Sequence, residues 1–204
     1  MYVALLDAKS AFDVVTHESL LRKLYLAGIE GSVWKLLHSL HINSTSVVKS
    51  NGLISDPFPI NQGVKQGGIL SADLYKLYIN DLLKNTEKSG LGAKIGTIHC
   101  AAPTCADDVA LVSDNPHELQ VLINMAFHYS CKERYKLQPL KSVILPIYPN
   151  KRKISEITHT WSLGTSVMPI VDKATHMGLL RTSTLYHSDS IYENTKKLDG
   201  LCTV

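Results

Sequence analysis

The sequence predicts an α+β fold. Apolar runs of strand length occur at Tyr2–Leu6, Val109–Val112 and Lys141–Tyr148, and segments with three- and four-residue apolar spacing read as amphipathic helices. The two kinds follow one another without the strict alternation of a doubly wound sheet. With 204 residues, 45% of them hydrophobic and 19% charged, the chain has the length of one domain, or one plus a tail. That balance excludes a disordered or collagen-like polymer and leaves material for a sizeable core. No apolar run approaches the roughly 18–20 residues that cross a bilayer. The apolar Met1–Leu6 start meets Asp7 and Lys9 at once, unlike a secretory signal. Cys100, Cys105, Cys131 and Cys202 are too few and too irregular for a disulfide scaffold, so reduced thiols in an intracellular protein are expected. A net charge of +3 permits a nucleic-acid partner without demanding one.

Taken in order, Tyr2–Leu6 is a continuous apolar run that predicts a buried strand ending at Asp7. A buried strand at residue 2 leaves no preceding element to cover it, which predicts a piece upstream. Thr16 is the expected N-cap of a helix carrying Leu20, Leu21, Leu24 and Tyr25 and stopped by Gly28. A second helix from about Ser32 carries Val33, Leu36, Leu37 and Leu40 on one stripe. Val47-Val48 and Leu53-Ile54 flank Asn51-Gly52, the strongest short hairpin signal. Gln62 to Gly68 is a glycine-rich loop leading into a helix from Ser71 with Leu74, Leu77, Tyr78 and Leu82 on one face. Strands are expected over Ile95–Cys100 and Val109–Val112, with Asp107-Asp108 at the turn between them. Asn115-Pro116 opens a helix, expected to run to Tyr135, with Leu119, Leu122, Ile123, Ala126 and Phe127 as its apolar face. Further strands are expected over Lys141–Tyr148, within Ile154–Ile170 and at His176–Leu180. A basic turn at Asn150–Lys153 and a helix near Ile191–Leu198 complete the reading.

The chemistry begins with three aspartates at strand ends, Asp7, Asp107 and Asp108. A carboxylate at a buried strand end needs a cation partner, and converging carboxylates suit hard divalent cations. A single Asp-Asp pair is more often a solvated turn, so the pair alone proves little. Its context adds more. Leu6-Asp-Ala-Lys-Ser-Ala-Phe-Asp13, Gln62-Gly-Val-Lys-Gln-Gly-Gly-Ile-Leu-Ser71 and Ala106-Asp-Asp-Val-Ala-Leu-Val112 occur in that order. Together they resemble the palm motifs of reverse transcriptases, most closely those of non-LTR (LINE-type) retrotransposons. Leu137-Gln-Pro-Leu-Lys-Ser142 resembles the palm lysine motif, and His176-Met-Gly-Leu179 the primer-grip region. The likeness covers about residues 1–180, leaving 181–204 as a polar tail or the start of a thumb.

The resemblance implies a polymerase palm, a small antiparallel sheet packed against helices, with Asp7 and Asp107 on adjacent strands. It implies two Mg²⁺ ions, with Mn²⁺ as a substitute, held by Asp7, Asp107, Asp108 and the backbone carbonyl of Ala8. The reaction implied is RNA-directed DNA synthesis, by in-line attack of a primer 3′-hydroxyl on a nucleoside triphosphate. RNA template, DNA or RNA primer and deoxynucleoside triphosphates are then the partners. Phe12 would lie under the sugar and exclude a 2′-hydroxyl, although the ring by itself reads as core. Gln66 and Gly67 would meet the incoming nucleotide, and Lys141 would protonate the leaving pyrophosphate. Lys65 would contact phosphates, and Cys105, Met177 and Gly178 would meet template or primer. As bare residues, Lys65 and Lys141 read equally as solvated surface.

The sequence also departs from the pattern. Cys105 stands where an aromatic is usual, Ala72 where proline is common and Gln138 where asparagine is usual. The blocks begin almost at residue 1, so the expectation is a palm with its fingers largely missing, from a partial gene model or a decayed element. The alternative to an active polymerase domain is a catalytically inactive remnant that at most binds nucleic acid. A cyclase-like palm transferase is disfavoured by the Gln-Gly loop and the order of the blocks. His99 to Cys105 lacks a second ligand pair, so it does not read as a zinc site.

Overall fold

The computed structural model describes residues 1–148 and 157–184, together with Ile191 and Thr195. The chain forms two compact units. One holds Met1–Lys9, Leu82–Ser130 and the described residues from Lys136 onward; the other holds Ser10–Asp81 and Cys131–Tyr135.

The first unit is organised by a four-stranded antiparallel sheet. β1 (Tyr2–Leu6) lies between β10 (Val143–Pro146) and β9 (Asp108–Ser113), and β8 (Thr104–Cys105) forms the far edge beyond β9. β1 is apolar along its whole length and has a partner on each side; Ala4, Leu5 and Leu6 are buried, and Tyr2 and Val3 half-buried. In register, Ala4 pairs with Leu111 and with Ile144, and all three are fully buried. α4 (Pro116–Lys132) starts where Asn115 Oδ1 accepts the His117 N–H at 2.9 Å, with proline at the first helical position. Leu119, Leu122, Ile123 and Ala126 of α4 are fully buried, while Phe127 is only half so. The helix ends at Lys132, three residues short of the expected Tyr135.

Two expected strands are instead tight hairpins. Ile95–Cys100 reverses at Gly96 (φ +61°), giving β6 (Lys94–Ile95) and β7 (Ile98–His99). His176–Leu180 reverses at Met177-Gly178, both at positive φ, between β13 (Lys173–His176) and β14 (Leu179–Thr182). A run of apolar residues does not reveal a turn when the turn residues are themselves compatible with a strand. β11 (Ser162–Leu163) and β12 (Ser166–Val167) supply a hairpin within the expected 154–170 region, next to the buried Trp161. The basic turn at Asn150–Lys153 and most of the 181–204 tail lie outside the described residues; of the helix expected near Ile191–Leu198, Ile191 and Thr195 are described and are helical.

The second unit holds α1 (His17–Leu26), α2 (Gly31–His41) and the N-terminal part of α3 (Ser71–Lys88). Thr16 is the N-cap of α1, as expected, but makes no side-chain capping bond. The buried stripe of α3 runs through Leu74, Tyr75, Tyr78, Ile79 and Leu82, with Leu77 only half-buried. β3 (Lys49–Ser50) and β4 (Leu53–Ile54) pair across Asn51-Gly52, both at positive φ, as an Asn-Gly hairpin requires. β2 (Thr45–Ser46) pairs with β5 (Phe58–Pro59). Among the described residues no helix is long and apolar enough to cross a membrane.

Candidate active site

The site is built at one end of the sheet. β1 delivers Asp7, and the segment 136–142 leading into β10 closes around it. The Gln138 N–H donates to the Asp7 carbonyl at 2.9 Å, and the Asp7 N–H donates to Ser142 Oγ at 3.0 Å. The Gln138 side-chain amide donates to Asp7 Oδ2 at 2.5 Å. Ala8 forms an isolated bridge with Leu137, in which the Lys9 N–H donates to the Lys136 carbonyl. That bridge uses the carbonyls of Asp7 and Lys136 and leaves that of Ala8 out of the ladder.

The neighbouring hairpin delivers the other two carboxylates. Cys105 and Asp108 are its closing pair, and Ala106-Asp107 are its turn. Ala106 has φ +53°, a left-handed conformation that costs an alanine about 1–2 kcal/mol. Leu6 of β1 pairs with Val109 of β9, so Asp7 and Asp108 leave neighbouring strands at the same end of the sheet. Asp107 and Asp108 are half-exposed, and Cys105 is exposed.

Asp7, Asp108 and Lys141 line one cleft of about 240 Å³ together with Lys173 and His176. Four separated stretches of sequence therefore converge, two supplying carboxylates and two supplying lysines. His176 Nδ1 stands 3.8 Å from Asp108 Oδ1. Burial holds His176 below its ordinary value; Asp108 opposes that shift and Arg181 reinforces it. Asp107 does not line this cleft, nor do Met177 and Gly178, which form the β13–β14 turn.

The donors suit a hard cation: two carboxylates on one cleft, with a main-chain carbonyl beside one of them, are oxygen ligands of the type Mg²⁺ takes. Among the described residues, however, no three His, Cys, Asp or Glu side chains group closely enough to hold one ion. The residues present fit a site of few protein ligands, in which water and substrate complete the shell. The sequence singled out Asp7, Asp108 and Lys141 but gave no role to Lys173. It marked Gln138 only as a departure and His176 only as part of a block.

The remaining expected residues belong to the second unit. Phe12 stacks on Tyr75 with ring centroids 4.8 Å apart and planes at 29°, and its carbonyl accepts the Val64 N–H at 2.8 Å. The ring is thus held by α3, and it is half-buried rather than core. Gln66 Nε2 donates to Asp13 Oδ1 at 3.4 Å, a long bond. Gly67 has φ +76°, which by itself calls for glycine, and a Cβ there would meet nothing within 4 Å. Lys65 presents its carbonyl to the Ser71 hydroxyl and the Gly68 N–H, fixing the glycine-rich loop. Lys65 and Gln66 line a cleft of about 1000 Å³ with Asp13 and apolar residues including Leu37 and Leu74.

Over 188 residues the chain is 28% identical to the Pol polyprotein of the type-2 retrotransposable element R2DM of Drosophila melanogaster, covering 90% of this chain and 18% of the relative. Over 147 residues it is 31% identical to the Pol polyprotein of the type-1 element R2 of Popillia japonica, covering 71% and 21%. The chain thus spans about a fifth of the length of these relatives. In fold it is similar to apo telomerase of Candida tropicalis truncated from its C-terminal domain, with TM-score 0.60 at 17% identity, over 89% of this chain and 34% of that one. Residues 1–167 match the family described as Reverse transcriptase (RNA-dependent DNA polymerase), and the chain belongs to that family.

Proposed function

We propose that this chain is the palm of an RNA-directed DNA polymerase, joining deoxynucleotides to a primer 3′-hydroxyl along an RNA template. The observation that carries the reading is the meeting of Asp7, Asp108 and Lys141 on one cleft at the end of the sheet. Asp7 and Asp108, with Asp107 at the adjoining turn and the Ala8 carbonyl, would hold the divalent ions. When bound, such ions stabilise charge on the transferring phosphoryl oxygens and lower the pKa of the attacking hydroxyl. Lys141 brings an ammonium to the same cleft and can give its proton to departing pyrophosphate. Lys173 adds positive charge on that wall, where it can receive phosphate oxygens.

In the second unit, Phe12 would meet the sugar of the incoming nucleotide. Its stacking on Tyr75 limits how far the ring can swing aside for a 2′-hydroxyl. Gln66 and Gly67 would lie against the nucleotide, where the open space over Gly67 admits a close approach. Lys65 would contact phosphates, and Cys105, Met177 and Gly178 the primer or template.

The test is primer extension on an RNA template, with the chain exchanged for the matching segment of an R2-type polyprotein. Extension should require Mg²⁺ or Mn²⁺. Asp107→Asn should abolish it, since a neutral amide keeps the shape and removes the charge that balances an ion. Phe12→Ala should keep deoxynucleotide addition and admit ribonucleotides. An active Asp107→Asn chimera overturns the metal assignment; a parent chimera inactive with intact carboxylates favours the inactive remnant.

A further inference from the structure

We propose that Gln138 is a positioning residue: its side-chain amide occupies one oxygen of Asp7 and leaves the other as a single-oxygen ligand facing the cleft. The inference rests on the divalent-cation reading of the site. Its basis is the contact between Gln138 Nε2 and Asp7 Oδ2 at 2.5 Å. Only the nitrogen end of the amide can face a carboxylate at that distance, because its oxygen would repel the anion. A neutral donor fixes the carboxylate without neutralising it, so the full negative charge stays available to a cation. A lysine or arginine in the same place would compete with that cation.

Gln138 is itself held from several sides. Its N–H donates to the Asp7 carbonyl, and its own carbonyl accepts the Lys141 N–H at 3.1 Å and the Ser142 N–H at 2.8 Å. Ser142 Oγ then takes the Asp7 N–H at 3.0 Å, closing a ring of main-chain and side-chain bonds around one aspartate. With its backbone so fixed, the amide reaches Asp7 from a set direction. The same turn places Lys141 on the cleft wall, so one short loop sets the carboxylate rotamer and the position of the facing ammonium. Outer partners of metal-ligating groups act in this way, and their removal commonly weakens metal binding by roughly 10- to 100-fold.

The experiment uses the 204-residue chain and Mn²⁺ as the probe. Free Mn²⁺ is read by electron paramagnetic resonance, and each variant's thermal melt is recorded beside it. Gln138→Met keeps the length of the side chain and removes the amide; Gln138→Leu is a second apolar replacement should the first not fold. Either should bind Mn²⁺ roughly 10- to 100-fold more weakly than the parent. Gln138→Asn, which keeps an amide, should recover part of that loss. Ser142→Ala, which removes the hydroxyl that accepts the Asp7 main-chain N–H, should change stability more than affinity. If the apolar variants bind as the parent does while Asp7→Asn loses binding, the positioning role is overturned and the site reading stands. If Asp7→Asn binds as the parent does, or the parent binds no Mn²⁺ at millimolar concentration, the cation reading falls and the positioning role with it.

Discussion

Lys23 sits on α1 with its side chain 3% exposed and reaches Glu133, 2% exposed, at 2.9 Å, and Asp81 at 2.8 Å. Ser19 donates to the other Glu133 oxygen at 2.5 Å, and the Tyr78 hydroxyl donates to the Glu133 carbonyl at 2.8 Å. Burial, with Glu133 adding to it, pushes the Tyr78 phenol up to about 12, so it remains a proton donor throughout the neutral range. Two buried charges are tolerated here because each is met by several partners. Truncation of one strands the other. Glu133→Ala should therefore cost about 3–5 kcal/mol in a urea-unfolding measurement. The pair replacement Lys23→Met with Glu133→Leu should cost clearly less, because neither charge is left behind. Nothing in the sequence pairs residue 23 with residue 133: a lysine in an amphipathic helix reads as solvated, and only the fold brings Glu133 to it. Asp7 was legible by contrast, because it closes an apolar strand and opens a recognisable block.

At the scale of elements, α2 separates what periodicity can tell from what it cannot. Val33, Leu36, Leu37 and Leu40 repeat at helical spacing, and the helix is there. Yet only Leu37 is buried, at 6% exposure, while Leu36 is 60% exposed. Spacing specifies a helix and an apolar stripe; it does not say how much of the stripe has something to pack against. Leu37→Ala should cost about 2–4 kcal/mol, whereas Leu36→Glu should stay within about 0.5 kcal/mol, both read from thermal or urea melts. The Asn51-Gly52 hairpin was legible because its turn residues are specific for the conformation, although Leu53 and Ile54 beside it are exposed. The Ile95–Ile98 turn was missed because its cue, one glycine in an apolar run, is equally compatible with a strand. Gly92 illustrates the same limit. At φ +97°, a Cβ there would come within 2.9 Å of the Val112 carbonyl, a close approach that only the folded chain creates.

For the whole molecule, the carboxylates and Lys141 belong to one compact unit, and Phe12, Gln66 and Gly67 to the other. The matched segment is also only 18% of the R2DM polyprotein. Placing template, primer and triphosphate within reacting distance is worth several orders of magnitude in rate. The 204-residue chain alone should therefore extend a primer at least about 100-fold more slowly than the chimera, measured side by side. Equal rates would show that the chain holds its substrates unaided. The sequence by itself determined the mixed α+β class, the order of the motif blocks, and Asp7, Asp107, Asp108 and Lys141 as the residues to watch. The class follows from local spacing and residue type, and the four residues from the resemblance of the blocks that carry them, all of it written along the chain. Only the tertiary structure decided that Gln138 grips Asp7, that His176 stands beside Asp108, that Lys23 is buried against Glu133, and which face of α2 is covered. Each of those depends on which distant segments meet, a property of strand register and close packing that no local pattern encodes.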